Sequence, residues 1–216
     1  MRNIQIIASW LLLLFFTGPW ADAQDTPPSF EVFAEGGGSF LNNGTGQPPI
    51  ACIPEIECPT TATSSFSKTA RLFTGARLRF TRHDLLEASY SFSPNNFSLQ
   101  WGRGSLGSAY NRVNLISFNY VRYLWARTPV QPFATVGVGT NRFSGPSSAS
   151  AVVSGLVSAD NGWQFAWSYG GGADLVLQRR FALRLELRDY VTAQPNFITG
   201  TSHNIVPSVG IVFRLK

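Results

Sequence analysis

The segment Phe181-Ala-Leu-Arg-Leu-Glu-Leu-Arg188 alternates apolar and polar side chains. Its odd positions are Phe and Leu, and its even positions after the first are Arg, Glu and Arg. The segment 205–215 repeats the pattern, with Ser208, Gly210 and Arg214 opposite a face of Ile, Val, Phe and Leu. Because successive side chains of a β-strand point to opposite faces, this period of two predicts strands with one apolar and one polar face.

Eight segments show this strand pattern, and none shows a sustained helical period. They lie at about 30–40, 69–80, 85–93, 110–123, 131–143, 163–177, 181–191 and 205–215. The connections between them alternate between long and short, as in a barrel with long external loops and short periplasmic turns. The sequence therefore predicts an all-β chain that forms an eight-stranded antiparallel up-and-down transmembrane β-barrel.

Segment 110–123 is the least regular of the eight. Ile116 and Phe118 share one face, but the apolar residues Val113 and Leu115 are out of phase with them. Either a β-bulge or a different register would explain the irregularity, and the sequence leaves both open.

The apolar faces are predicted to point outward into lipid. Charged residues make up 13% of the 216-residue chain, against about 25% in soluble domains. Eight strands enclose room for side chains only, so bulky Phe, Trp, Tyr and Leu would overfill the lumen, whereas Gly, Ser and a few long charged chains fit. The alternative is a soluble barrel like a lipocalin, with its apolar face inside.

With that orientation, the polar faces place five acidic and six basic side chains in the lumen. Fifteen of the 17 basic residues of the chain are Arg, whose planar fork suits paired carboxylates. We expect this network to plug the lumen. Its predicted members are Glu31, Glu35, Arg71, Arg77, Arg79, Glu87, Asp174, Arg184, Glu186, Arg188 and Arg214.

Aromatic residues cluster near both ends of the predicted strands. Tyr123 and Trp125 lie beside the short turns, and Trp163, Trp167 and Tyr190 lie beside the long loops. Aromatic girdles mark the two interfaces of membrane barrels. We therefore predict that these five residues belong to two girdles on the outer surface.

The N-terminus predicts export. Residues 1–23 combine Arg2, an apolar run that ends before Gly18, and the small-x-small sequence Ala21-Asp22-Ala23. This layout is typical of a cleaved signal peptide, the alternative being an uncleaved anchor. Residues 24–216 would then form a single outer-membrane β-barrel domain.

Cys52 and Cys58 are the two cysteines of the chain. An exported protein meets an oxidising compartment, so we predict a local disulfide between them. A metal site would require more ligands than this segment offers. The sequence shows no metal-ligand cluster and no phosphate-cradling loop, and we predict no cofactor and no metal.

Four stretches resemble strands of the OmpA/OmpX-type outer-membrane β-barrel family. They are Pro132-Phe-Ala-Thr-Val-Gly-Val-Gly139, Tyr169-Gly-Gly-Gly-Ala-Asp174, Leu183-Arg-Leu-Glu-Leu-Arg-Asp-Tyr190 and Pro207-Ser-Val-Gly-Ile-Val-Phe213. The resemblance covers essentially the whole mature chain. It implies an integral protein of the bacterial outer membrane, inserted by the barrel-assembly machinery and surrounded by outer-membrane lipid, with a polar charged interior.

Catalysis is weakly indicated. Some small barrels that resemble this one act on lipids through Ser, His and an acid on the lipid-facing wall. Here Ser202 and His203 are adjacent, and neighbours on a strand point to opposite faces. His83 and Asp84 lie in a short turn at the other end. We therefore predict that the protein is not an enzyme, and a lipid-modifying barrel enzyme is the minor alternative.

Two functions of different classes remain. The first is a structural or surface-interaction barrel that acts through external loops at 41–68, 94–109, 144–162 and 192–204, with an unknown loop-binding partner. The second is a narrow porin-like channel or a transport barrel for a small ligand. We expect the protein to be a monomer. We also expect it to bind no nucleic acid, because its Arg residues alternate inward or lie at turns.

Overall fold

The computed structural model describes residues 29–42, 44–46, 62–101, 104–144, 160–193 and 201–215. The predicted signal peptide, Cys52 and Cys58 lie outside these residues. The described strands are β1 (Ser29–Leu41), β2 (Gly44–Gly46), β3 (Ala62–Phe66), β4 (Thr69–Arg79), β5 (Asp84–Trp101), β6 (Gly104–Tyr123), β7 (Val130–Ser144), β8 (Asp160–Val176), β9 (Phe181–Ala193) and β10 (Thr201–Leu215).

Eight of these strands close into a barrel, which confirms the predicted fold class. β1 and β4 to β10 each pair antiparallel with two neighbours, and β1 closes the barrel by pairing with both β10 and β4. Closure leaves no unpaired strand edge in the wall. The short strands β2 and β3 extend the sheet beyond β4, where β3 pairs with the far end of β5.

The short connections lie at one end of the barrel. They are residues 80–83, 124–129 and 177–180. In the first turn, the hydroxyl of Thr81 accepts hydrogen bonds from the backbone N–H groups of His83 (3.1 Å) and Asp84 (2.9 Å). These bonds satisfy turn donors that the strand ladder leaves unpaired. We call this the short-turn end and the opposite one the long-loop end.

The loop predicted at 94–109 is wrong over most of its length. β5 and β6 continue as a hairpin that pairs Asn95 with Asn111 and Trp101 with Gly104. The alternation of Ser91, Ser93 and Asn95 toward the inside carries the strand past Pro94. The loop predicted at 192–204 is also shorter, because Thr192–Ala193 and Thr201–Asn204 belong to β9 and β10.

The irregularity predicted within 110–123 is not there. Val113 and Leu115 are buried inside the barrel, in phase with Ser117 and Asn119, and the pairings of this segment are continuous. The register shift of the hairpin lies instead between Leu99 and Gln100 of β5. The inner wall simply carries apolar residues at this height.

The part of the chain that the structure describes contains no helix long and apolar enough to cross a membrane.

Candidate functional site: the charged lumen

The outer wall is apolar and the inner wall is mostly polar. Phe118 is 63% exposed on the outside, whereas its neighbours Ser117 and Asn119 are buried inside. The same inversion recurs around the barrel on the outward residues Leu72, Leu86, Val138, Phe165, Leu187 and Ile211. An apolar outer band with a polar interior is typical of membrane barrels, whose outer faces are solvated by lipid.

Arg184 is fully buried and lies within 4.0 Å of four of the five lumen carboxylates, so it is the centre of the ion-pair network. Its Nε is 2.7 Å from Asp174 Oδ1, and its Nη1 is 3.2 Å from Glu87 Oε2. Its guanidinium also lies 4.1 Å from the ring centroid of Phe133. The hydroxyl of Tyr123 donates to Asp174 Oδ2. Side chains from five strands, β5, β6, β7, β8 and β9, therefore meet at Arg184.

Glu87 links the ion pairs around Arg184 to those nearer the long-loop end. Beside Arg184, it accepts hydrogen bonds from Arg188 Nη2 (3.0 Å) and Asn119 Nδ2 (3.1 Å). The Nε of Arg77 lies 3.7 Å from the other carboxylate oxygen. A buried carboxylate with this many donors is held in one geometry, because the donors approach it from three strands, β4, β6 and β9.

Glu31 organises the short-turn end of the lumen. Its register on β1 places it beside Arg77 of β4 and Arg214 of β10. Arg79 Nη2 donates to it at 3.0 Å, and Arg214 Nε lies 3.3 Å away. Arg214 also donates to Gln131 Oε1 at 3.1 Å. This group closes the network where β1 and β10 complete the barrel.

The part of the network nearer the long-loop end consists of Glu35, Glu186 and Arg188. Arg188 donates to the Glu186 carboxylate and, at 3.3 Å, to the hydroxyl of Tyr190. Ser208 Oγ donates to Glu35 at 2.7 Å. The structure thus brings together ten of the eleven side chains predicted for the lumen, and Arg71, though inside the barrel, stands apart from them.

Two of the five predicted girdle residues belong to the lumen instead. Tyr123 and Tyr190 are 1% and 4% exposed inside the barrel, whereas Trp125, Trp163 and Trp167 are exposed on the outside. Strand alternation contains the missed signal, since Tyr190 follows the inward Arg188 by two positions. The height along the strand favoured a girdle, but parity decides the face.

Side chains pack closely in the described part of the lumen. A cavity bounded by Phe73, Glu87, Arg188 and Tyr190 has a volume of about 10 Å³, which is room for roughly one water molecule. A Cβ atom added to the inward-facing Gly172 would lie 2.8 Å from the ring of Phe133. The packing therefore excludes even a methyl group at this position.

The predicted catalytic candidates are kept apart by the fold. Ser202 is buried inside, whereas His203 is exposed on the outer wall. His203 Nδ1 lies 2.7 Å from Asp189 Oδ2, which also accepts from the Tyr169 hydroxyl at 2.9 Å. His83, at the short-turn end, contacts the carbonyl of Tyr123. No group of three or more His, Cys, Asp and Glu that could hold a metal occurs among the described residues.

The fold has counterparts among solved outer-membrane proteins. No family model matches the sequence, and no curated protein matches it either. Neisserial surface protein A superposes with a TM-score of 0.60 at 13% identity, over 88% of this chain and 100% of that protein. OprG of Pseudomonas aeruginosa superposes with a TM-score of 0.60 at 13% identity, over 87% of this chain and 95% of OprG. At the level of fold, these matches confirm the resemblance to OmpA/OmpX-type barrels.

Proposed function

We propose that this chain is an integral barrel of the bacterial outer membrane with a closed lumen, and that it acts structurally or by surface interaction at its long-loop end. The observation that carries the proposal is the buried network around Arg184 and Glu87, which occupies the centre of a barrel with an apolar outer wall. The fold likeness to outer-membrane proteins supports the location.

Closure follows from size and electrostatics. An eight-stranded barrel encloses little more than its own side chains. A solute path would have to separate Arg184 from Asp174 and Glu87, and each separated charge would remain buried. Removing one partner of such a buried pair costs ~3–5 kcal/mol. The network therefore favours one closed arrangement over a transient opening.

Single-channel recording tests the closed lumen. Refolded protein is added to one planar bilayer and a 16-stranded porin to a second, identical bilayer. The porin has an aqueous channel and serves as the positive control for barrel insertion. We expect current steps from the porin and none of steady amplitude from this protein. Steady, reproducible steps from the purified chain would contradict closure and favour the narrow-channel alternative.

Cell fractionation tests the location. We expect the protein to pellet with the outer membrane, to run differently on gels with and without heating, and to sediment as a monomer in detergent. We also expect the heat-modifiable form to disappear when the barrel-assembly machinery is depleted. Recovery of the protein in the soluble fraction, with one gel mobility, would contradict the membrane assignment.

A further inference from the structure

Arg71 is a buried arginine without a polar partner. It is 1% exposed on the inner wall, and Nε, Nη1 and Nη2 all lack a hydrogen-bond acceptor. Its guanidinium instead lies 5.9 Å from the ring centroid of Phe73 and 5.8 Å from that of Tyr190. Both rings lie within cation–π distance of the guanidinium, but an aromatic face does not satisfy its N–H donors.

The charge balance of the lumen isolates the same residue. The lumen holds six arginines and five carboxylates. Each of the other five arginines has a carboxylate oxygen within 4.0 Å, and these contacts use all five carboxylates. Among the described residues, Arg71 is therefore the unmatched positive charge of an otherwise neutral network.

Besides the two rings, the described neighbours of Arg71 are glycine and uncharged polar residues, and none of them carries a negative charge. Gly37 lies across from it on β1 and presents no side chain. Ser91, on β5, is buried and its Oγ has no hydrogen-bond partner. The buried side chains that continue toward the long-loop end are uncharged, namely Ser39, Ser93, Asn95, Ser202 and Asn204.

We propose that Arg71 is the anchor of a binding site for a small oxyanion, a carboxylate or a phosphate, in the long-loop half of the lumen. A guanidinium binds such groups through two parallel N–H···O bonds. The rings of Phe73 and Tyr190 restrict the guanidinium before an anion binds, which lowers the entropy lost on binding. Arg71 is the third residue of β4, so the anion enters from the long-loop end and leaves the central network closed.

This site goes beyond the proposed function, since a closed structural barrel does not need an anion. A bound oxyanion would neutralise the one charge that the protein leaves unmatched. Burial of an unpaired charge is unfavourable, so the bound state is expected to be the more stable one.

The test is phosphate binding by the full chain folded in a zwitterionic detergent. Isothermal titration with inorganic phosphate is compared with sodium chloride at equal ionic strength, and acetate tests the carboxylate class. We expect one saturable phosphate site per chain and a higher unfolding temperature in phosphate. At one hundred times Kd, the folded-to-unfolded ratio rises about a hundredfold.

Three variants assign the site. Arg71→Gln is expected to lose the saturable binding, and Arg79→Gln, which removes a lumen arginine that is paired with Glu31 at the opposite end, is expected to keep it. Arg71→Lys retains the charge without the fork and is expected to bind at least tenfold more weakly. It also serves if Arg71→Gln does not fold. Absence of saturable binding in the natural protein, or equal binding in natural protein and Arg71 variants, would overturn the proposal.

Discussion

Replacing Glu87 with Gln tests whether the central network stabilises the barrel. The change keeps the shape of the side chain but removes the charge that faces Arg184 at 3.2 Å and Arg188 at 3.0 Å. Both arginines retain another carboxylate, Asp174 and Glu186 respectively. Breaking a buried pair from one side costs ~3–5 kcal/mol, and the retained partners place the expected loss near the lower value.

A loss of about 3 kcal/mol corresponds to roughly a hundredfold change in the unfolding equilibrium constant. Urea unfolding in lipid vesicles, followed by tryptophan fluorescence and gel mobility, measures it. Asp84→Asn is the control, because Asp84 pairs with Arg122 at 3.0 Å but lies on the outer rim, partly exposed. Its expected loss is below about 1 kcal/mol. If Glu87→Gln costs no more than Asp84→Asn, the network does not stabilise the fold.

Two further changes examine the outer wall and the lumen packing. Phe118→Arg places a charge five residues from the short-turn end of β6. We expect it to lower the free energy of unfolding in vesicles by ~2–4 kcal/mol, against about 1 kcal/mol or less for Trp125→Arg at the rim. Equal losses of stability in the two variants would contradict a lipid-facing wall. Gly172→Ala is expected to destabilise by ~1–3 kcal/mol, because its Cβ would meet the Leu185 carbonyl. Gly36→Ala, whose Cβ would meet only Leu72 at 3.9 Å, is expected to be neutral in the same unfolding assay, and a neutral Gly172→Ala would contradict the tight packing.

Parity along the strands predicted most of the charged lumen. The alternation in 181–188 places Arg184, Glu186 and Arg188 on one face, and the structure has all three inside. Which charges meet could not be predicted, because Arg77 of β4 and Asp174 of β8 approach across the lumen. Contacts across a barrel depend on the shear between strands, which alternation does not fix.

The errors came from using composition where parity was the better guide. The Pro94-Asn95-Asn96 sequence is typical of a loop, yet β5 continues through it because β6 pairs with it without a break at these residues. The apolar Val113 and Leu115 seemed out of phase only because the inner wall was expected to be polar throughout. A narrow lumen also contains apolar residues wherever the charged side chains leave space.

The dependence of the ion pairs on distant strands has a consequence for how the barrel assembles. Arg214 on the last strand reaches the Glu31 carboxylate of the first strand at 3.3 Å, so the charge of Arg214 is matched only when β10 has docked on β1. A partly formed sheet would expose unmatched charges on the concave side and would be disfavoured in lipid. Neutralisation and closure therefore become one event, and the interior charges act as a checkpoint against barrels that stop short of completion.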